Sequence, residues 1–275
     1  MAAIDQFAIE RLGTGEARAG LLLSEEAHWN QNKADWRFFL TKGTVFCIRD
    51  GDDRLIATAA LLPYGSGNAW ISMVLVTANW RRRGLATKLL DACLDAAAKR
   101  GLITWLDATP AGAKVYGPLG FTPTLELRRL RFAGSATAAA PKFASDGSLD
   151  ELIARDRRAM GFDRSALLRE LRGRPGSRLV SHDGALGLIR DGRTARQLGP
   201  LFADDAASAT ALADTVAQSE TGPILIDVVH DHGTFLENLT GSGWSIERPF
   251  QRMRFGLATT KVLQLPFAVA GPEYG

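Results

Sequence analysis

The two halves of this chain end alike. "WLDATPAGAKVYGPLGF" at 105–121 and "LIDVVHDHGTFLENLTGSGW" at 225–244 each read as a strand closing on an aspartate, a short helix, and a glycine before an aromatic ring. Such a repeat constrains the fold more tightly than composition does, because a duplicated unit must give the same order of elements twice. The rest of the sequence obeys. In the first half, a strand over 7–12 and helices over 16–29 and 35–40 lead to strands over 44–49, 55–63 and 69–76. The turns "DGDD" and "YGSGN" separate these last three, the pattern of an antiparallel meander. A helix follows, with Leu85, Leu89, Leu90, Cys93, Leu94 and Ala97 on one face, and stops at Gly101. The strand "LITWLDA", a short helix in "AGAKVYGPLG" and the strand "LELRRLRF" close the half.

The second half gives two helices, "LDELIARDRRAM" and "RSALLRELR", and three strands, "SRLVSHD", "ALGLIRD" and "ARQLGPLF". The helix "AASATALADTVAQ", the strand "PILIDVV", the helix "GTFLENLTG" and the strand "SIERPFQRMRF" complete it. Between the halves, "AGSATAAAPKFASDG" at 133–147 has the small-residue composition of a linker. The expected architecture is therefore α+β, with two tandem domains at 1–132 and 148–275. Each is a mixed, mostly antiparallel sheet flanked by helices.

With 275 residues, 46% apolar and 23% charged, the chain can bury a real core. A net charge of +3 supplies no bulk field for nucleic acid or a membrane surface, so neither is expected as a partner. Cys47 and Cys93 lack CxxC spacing and sit in apolar surroundings, as reduced packing residues do. "MAAIDQFAIERL" has acids where a signal peptide has a basic region, and no apolar run is long enough to span a bilayer. A cytoplasmic protein is the expectation.

Chemistry is concentrated in "MVLVTANWRRRGLATKLL", where Arg81, Arg82 and Arg83 stand just before a helix. A helix start carries partial positive charge and favours acids, so three arginines there are electrostatically misplaced. They become sensible if an anion sits at that start and draws on both backbone N–H groups and guanidinium groups. The competing reading is a solvated basic surface. Other phosphate motifs fit worse: "LGTGEARAG" misplaces its third glycine for a dinucleotide fingerprint, and no G-x-x-x-x-G-K-[ST] occurs.

On these residues the first half resembles the GNAT superfamily of acetyl-CoA-dependent N-acetyltransferases. Arg81-Arg82-Arg83-Gly84-Leu85-Ala86 satisfies its strand–Arg-x-x-Gly-x-Ala–helix hallmark, and Tyr116 stands four residues before the Gly120-Phe121 pair. "HWNQNKADWRFF", "AWISMVLV" and the closing "AVAGPEYG" are similar to bacterial tandem-GNAT proteins, so the resemblance spans the chain. It implies acetyl-CoA as co-substrate, with no metal. Backbone groups of Val74, Leu75 and Val76 would pair with the pantetheine arm, and Arg81, Arg82, Arg83, Gly84, Leu85, Ala86 and Thr87 would cradle the pyrophosphate. Tyr116 would be the general acid and Asp107 a candidate base, with Trp29, Asn30, Asp35 and Trp36 walling the acceptor pocket. Asp107 has a counterpart, Asp227, in the other half, which equally suits a structural turn residue; the tryptophans equally suit core anchors.

Where the first half has arginines, the second has Asp204 and Asp205, which suit a helix start and repel a pyrophosphate. At the place of Tyr116 it has Leu239. The second domain is expected to be non-catalytic. "HDH" at 230–232 offers two imidazoles but no third ligand at a recognisable spacing, so no metal site is expected. The expected function is acetyl transfer to a primary amine of a small molecule or peptide. An acyl-CoA sensor without turnover is the alternative.

Overall fold

The computed structural model describes residues 7–134, 147–256 and 264–275, so most of the linker expected at 133–147 lies outside the described residues. The chain divides into two compact units, Met1–Leu106 and Asp107–Gly275.

In unit 1, β1 (Glu10–Arg11) precedes α1 (Ala17–Glu26) and α2 (Lys33–Lys42). Then come β2 (Thr44–Arg49), β3 (Leu55–Tyr64), β4 (Asn68–Val76), α3 (Leu85–Ala98) and β5 (Ile103–Ala108). The sheet order is β1-β2-β3-β4-β5, antiparallel except for the parallel β4–β5 pair. β3 is almost continuously buried, the mark of a strand covered on both faces rather than one. α1 and α2 lock together through Trp36, which is fully buried and donates its indole N–H to Ser24 Oγ at 3.0 Å. Gly20 makes this possible, because a Cβ there would fall 2.3 Å from the Trp36 ring.

Unit 2 opens with α4 (Pro110–Tyr116) and β6 (Phe121–Phe132). α5 (Leu149–Met160), α6 (Ser165–Gly173), β7 (Arg178–His182), β8 (Ala185–Asp191) and β9 (Arg196–Phe202) follow. α7 (Ala206–Ser219), β10 (Ile224–Val229), α8 (Gly233–Gly241) and β11 (Ser245–Phe255) complete it. Its sheet runs β11-β6-β10-β9-β8-β7, with only β9–β10 parallel. β6, which in sequence closes the first half, is hydrogen bonded along both edges inside unit 2. Residues 127–132 pair with β10, and nearly the whole strand pairs with β11. The compact unit therefore starts at Asp107, ahead of the boundary expected at 132.

α7, α8 and the strands they cover share one apolar core, including Leu198, Leu212, Val216, Ile226, Phe235 and Leu239. Phe267 and Ala268 of the closing segment belong to the same core. Among the described residues, no helix is long and apolar enough to cross a membrane.

Candidate active site

In unit 1 the site is built on β4 and the turn that follows it. The β3–β4 register slips between Thr58↔Leu75 and Ala60↔Ser72, so β4 carries a bulge. Met73 sits there at φ +52°, a left-handed conformation that costs a non-glycine residue energy. It is buried, and its carbonyl accepts from Thr58 Oγ1 at 2.9 Å, which holds the bulge in place. The bulge takes Val74 out of the ladder with β3, while Leu75 and Val76 resume it opposite Thr58 and Ala57. Val74 and Val76 are half-buried and Leu75 is buried.

The chain then enters α3 through a short 3-10 turn at Ala78–Trp80, whose first N–H donates to Glu26 Oε1 at 2.6 Å. Arg82 at φ +59° and Gly84 at φ +75° are both left-handed, the kind of turn backbone from which anion-binding nests are made. α3 begins directly after, with no acid in its first turn, so its free N–H groups keep their pull on an anion. The arginines are positioned by local contacts. Arg81 Nε donates to the Val76 carbonyl at 3.0 Å, and Arg83 Nη2 donates to that of Asn79 at 3.1 Å while stacking over Trp80. All three arginines are exposed, as is Gly84; Leu85 is a core residue, and Ala86 and Thr87 are half-buried. Ten residues named from sequence for the cofactor, Val74–Val76 and Arg81–Thr87, thus lie on one strand-to-helix connection.

The residues named for the acceptor divide. Asp35 accepts from the Asn32 N–H at 2.7 Å, while Asn32 Oδ1 accepts from Ala34 and Asp35, a reciprocal cap that starts α2. Asp35 and Trp36 are both fully buried, so they build the α1–α2 packing rather than wall a pocket. Trp29 is half-buried and Asn30 is 5% exposed, in the connection between the two helices.

In unit 2, Tyr116 ends α4, a helix started by the Thr109 side chain accepting from Gly112 N–H at 3.2 Å. Its ring is half-buried and leans on Phe121, centroids 6.1 Å apart. Asp107 is different. Both its oxygens accept from Arg252, at 2.9 Å each, and its side chain is wholly buried. Burial pushes its carboxyl above the ordinary range, and the Arg252 guanidinium opposes that shift. With both oxygens held, Asp107 has the geometry of a structural ion pair, not of a base waiting for a proton.

Sequence reasoning missed the partner. Arg252 in "RMRF" stands where Arg129 stands in "RLRF", and Arg129 makes the same forked pair with Asp227, at 2.8 Å for both bonds. The repeated Arg-x-Arg-Phe was the available signal. Asp205 caps α7 by accepting from Ser208 N–H at 2.8 Å, which lowers its carboxyl pKa, and Leu239 is buried in the core.

A bulged strand feeding an arginine–glycine turn into a helix start, within this mixed sheet, is the framework of an acyltransferase. The comparisons with known proteins agree. Residues 16–121 match the acetyltransferase (GNAT) family and residues 152–262 an acetyltransferase (GNAT) domain, so the chain belongs to the GNAT superfamily and carries two GNAT domains. The uncharacterised N-acetyltransferase YitH of Bacillus subtilis (strain 168) is 24% identical over 82% of this chain and 84% of its own length. A holothin acyltransferase of Pseudoalteromonas sp. (strain SANK 73390) is 28% identical over 62% of this chain and 60% of its own. Among solved structures, a proposed acetyltransferase of Pyrococcus horikoshii aligns with a TM-score of 0.79 at 17% identity, covering 100% of this chain and 98% of that one. A tandem GNAT protein from the clavulanic acid biosynthesis pathway aligns at 0.63 and 14% identity, over 93% and 100%. At these identities the structures speak for the fold alone.

Proposed function

We propose that the protein transfers acetyl from acetyl-CoA to a primary amine of a small molecule or peptide, directly and within a ternary complex. The observation that carries this reading is the left-handed pair Arg82 and Gly84 at the start of α3, an anion seat next to the bulged β4. The seat suits a pyrophosphate: free N–H groups, no side chain at Gly84, and exposed guanidiniums around it. Val74, Leu75 and Val76 then pair with the pantetheine arm as an added strand.

The neutral amine attacks the thioester carbonyl; a C–N bond forms, the C–S bond breaks, and electrons pass through an oxyanion held by a backbone N–H of β4. We assign Tyr116 the proton given to the departing thiolate, since a phenol's pKa lies not far above that of a thiol. The amine's proton leaves to water, because Asp107 is committed to Arg252. The second repeat, with Asp205 as a helix cap and Leu239 in its core, does not turn over substrate.

Calorimetry with acetyl-CoA tests the reading, run beside the Arg82→Glu/Arg83→Glu double variant. Micromolar binding at one site per chain, lost in the double variant, is expected. No binding removes the transferase reading, and two sites overturn the assignment of the second repeat. Against an accepted amine, Tyr116→Phe should lower kcat about 100-fold or more with KM for acetyl-CoA little changed, a range usual for general acids. Acetyl-CoA binding without turnover of any amine, unaltered in Tyr116→Phe, would instead favour a sensor.

A further inference from the structure

β9 and β10 pair in parallel only over Arg196–Leu198 and Ile224–Ile226, the same three-residue contact that β4 and β5 make in unit 1. Beyond it, the opening in unit 2 is filled. Phe267 N–H donates to the Leu201 carbonyl at 2.9 Å, and Leu201 N–H returns a bond to Ala268 at 2.9 Å. On the other side Val229 N–H donates to Phe267 O at 3.1 Å and Val269 N–H to Asp227 O at 3.0 Å. The segment therefore runs antiparallel to both strands and bridges them through Ala268.

We infer that this opening is a peptide-binding site whose ligand is the chain's own segment 265–275, seated where an acyl-CoA arm would have to lie. Its placement stands on unit 2 alone; the comparison with an acyl-CoA arm rests on the function proposed above. The site is specifically built. Gly199, at φ +151°, brings its backbone so close that a Cβ would fall 2.1 Å from Val269 O. Arg190 is buried and donates to the Ala270 carbonyl at 3.0 Å and to Glu273 Oε1 at 2.8 Å, beneath the Tyr274 ring. Arg164, forked onto Asp156 at 2.7 and 2.8 Å, donates to the Tyr274 carbonyl at 3.0 Å and to that of Gly275. His232 stacks on Phe267 with ring centroids 4.0 Å apart. The class of ligand follows: an extended peptide with small residues at alternate positions, then an acid and an aromatic.

The consequence is that unit 2 excludes acyl-CoA twice, by the acids at the start of α7 and by a backbone already in the cleft. A chain ending at residue 263 tests this with a fluorescein-labelled peptide of residues 264–275. We expect that peptide to bind the shortened chain at one site, at least tenfold more weakly once Arg190→Leu is added, and not to bind the full chain. Equal binding to both chains, or none to a shortened chain that still unfolds cooperatively, overturns the inference. If the shortened chain aggregates, Gly199→Ala in the full chain decides by hydrogen exchange. Amides of Phe267 and Val269 should exchange at least tenfold faster while those of β2 and β3 do not, and unchanged protection overturns it. Acetyl-CoA is titrated in parallel. Peptide binding without acetyl-CoA binding sinks the proposed function and leaves this site standing.

Discussion

At the scale of single residues, the forked pairs carry the most information. Asp107–Arg252 and Asp227–Arg129 put four ionised groups out of water, tolerable only because each carboxylate accepts two bonds from one guanidinium. Gln197 Nε2 adds a third bond to Asp227 at 2.9 Å. Removing one partner leaves the other charge buried, so Asp107→Asn should cost about 3–5 kcal/mol of stability, read as a fall in denaturation midpoint. The pH dependence of any residual kcat/KM should keep its shape. A lost acidic limb would restore Asp107 as the base. The cysteines make a plainer case. Both are fully buried, and burial pushes the Cys47 thiol up to about 11 and that of Cys93 further. Since the thiolate is the reactive form, neither should react with a thiol reagent until the chain is unfolded. Fast native labelling of Cys47 would contradict the packing of β2.

At the scale of elements, the sequence displayed what depends on local pattern. Period-two and period-3.6 runs located β2, β3, β4 and α3 to within a few residues, since each element's buried face is written in its own composition. The turn proposed above as an anion seat drew notice in the sequence because arginines at a helix start run against the helix dipole. Three things were not. The Met73 bulge arises from the slipped register with β3, a long-range event with no local signature. Asp35 and Trp36 read as pocket residues because a cap and a core anchor use the same side chains as a binding site. The placing of β6 between β10 and β11 depends on partners far away in sequence, on strands that lie beyond the whole of α5 to α7.

α8 offers a test at this scale. His232 precedes its first turn, stacks on Phe267, and sets Nε2 3.1 Å from the Pro266 carbonyl. Burial lowers its pKa, with the Leu265 and Pro266 carbonyls and Asp231 opposing. The folded state thus binds fewer protons than the unfolded one below the ordinary imidazole value of about 6.5. The stability contributed is complete above that value and is lost as pH falls below it. Melting temperatures taken from pH 7.5 to 5.5 should fall less in His232→Gln than in the parent chain, and parallel curves would show that His232 is not the group responsible.

At the scale of the whole molecule, the duplicated sequence and the compact units do not share a boundary. The sequence reading parts the repeats near residue 132, whereas unit 2 begins at Asp107. The reason is energetic. β6 supplies unit 2 with a strand bonded on both edges, buries Leu127 and Leu130 in its cores, and delivers Arg129 to Asp227. A fragment cut at the sequence boundary, 148–275, loses all of this together. β10 and β11 each gain a bare edge, and Asp227 is left charged and buried without its arginine, a combination whose cost is comparable with the stability of an entire domain. That fragment should be unfolded or aggregated. A fragment of 107–275 retains the strand, both forked ion pairs and the bridged segment at Ala268, and should melt cooperatively. Far-UV circular dichroism on heating compares the two directly. A cooperative transition from 148–275 alone would mean that the second repeat folds without β6, and that the strand is a late addition to its sheet rather than part of its core.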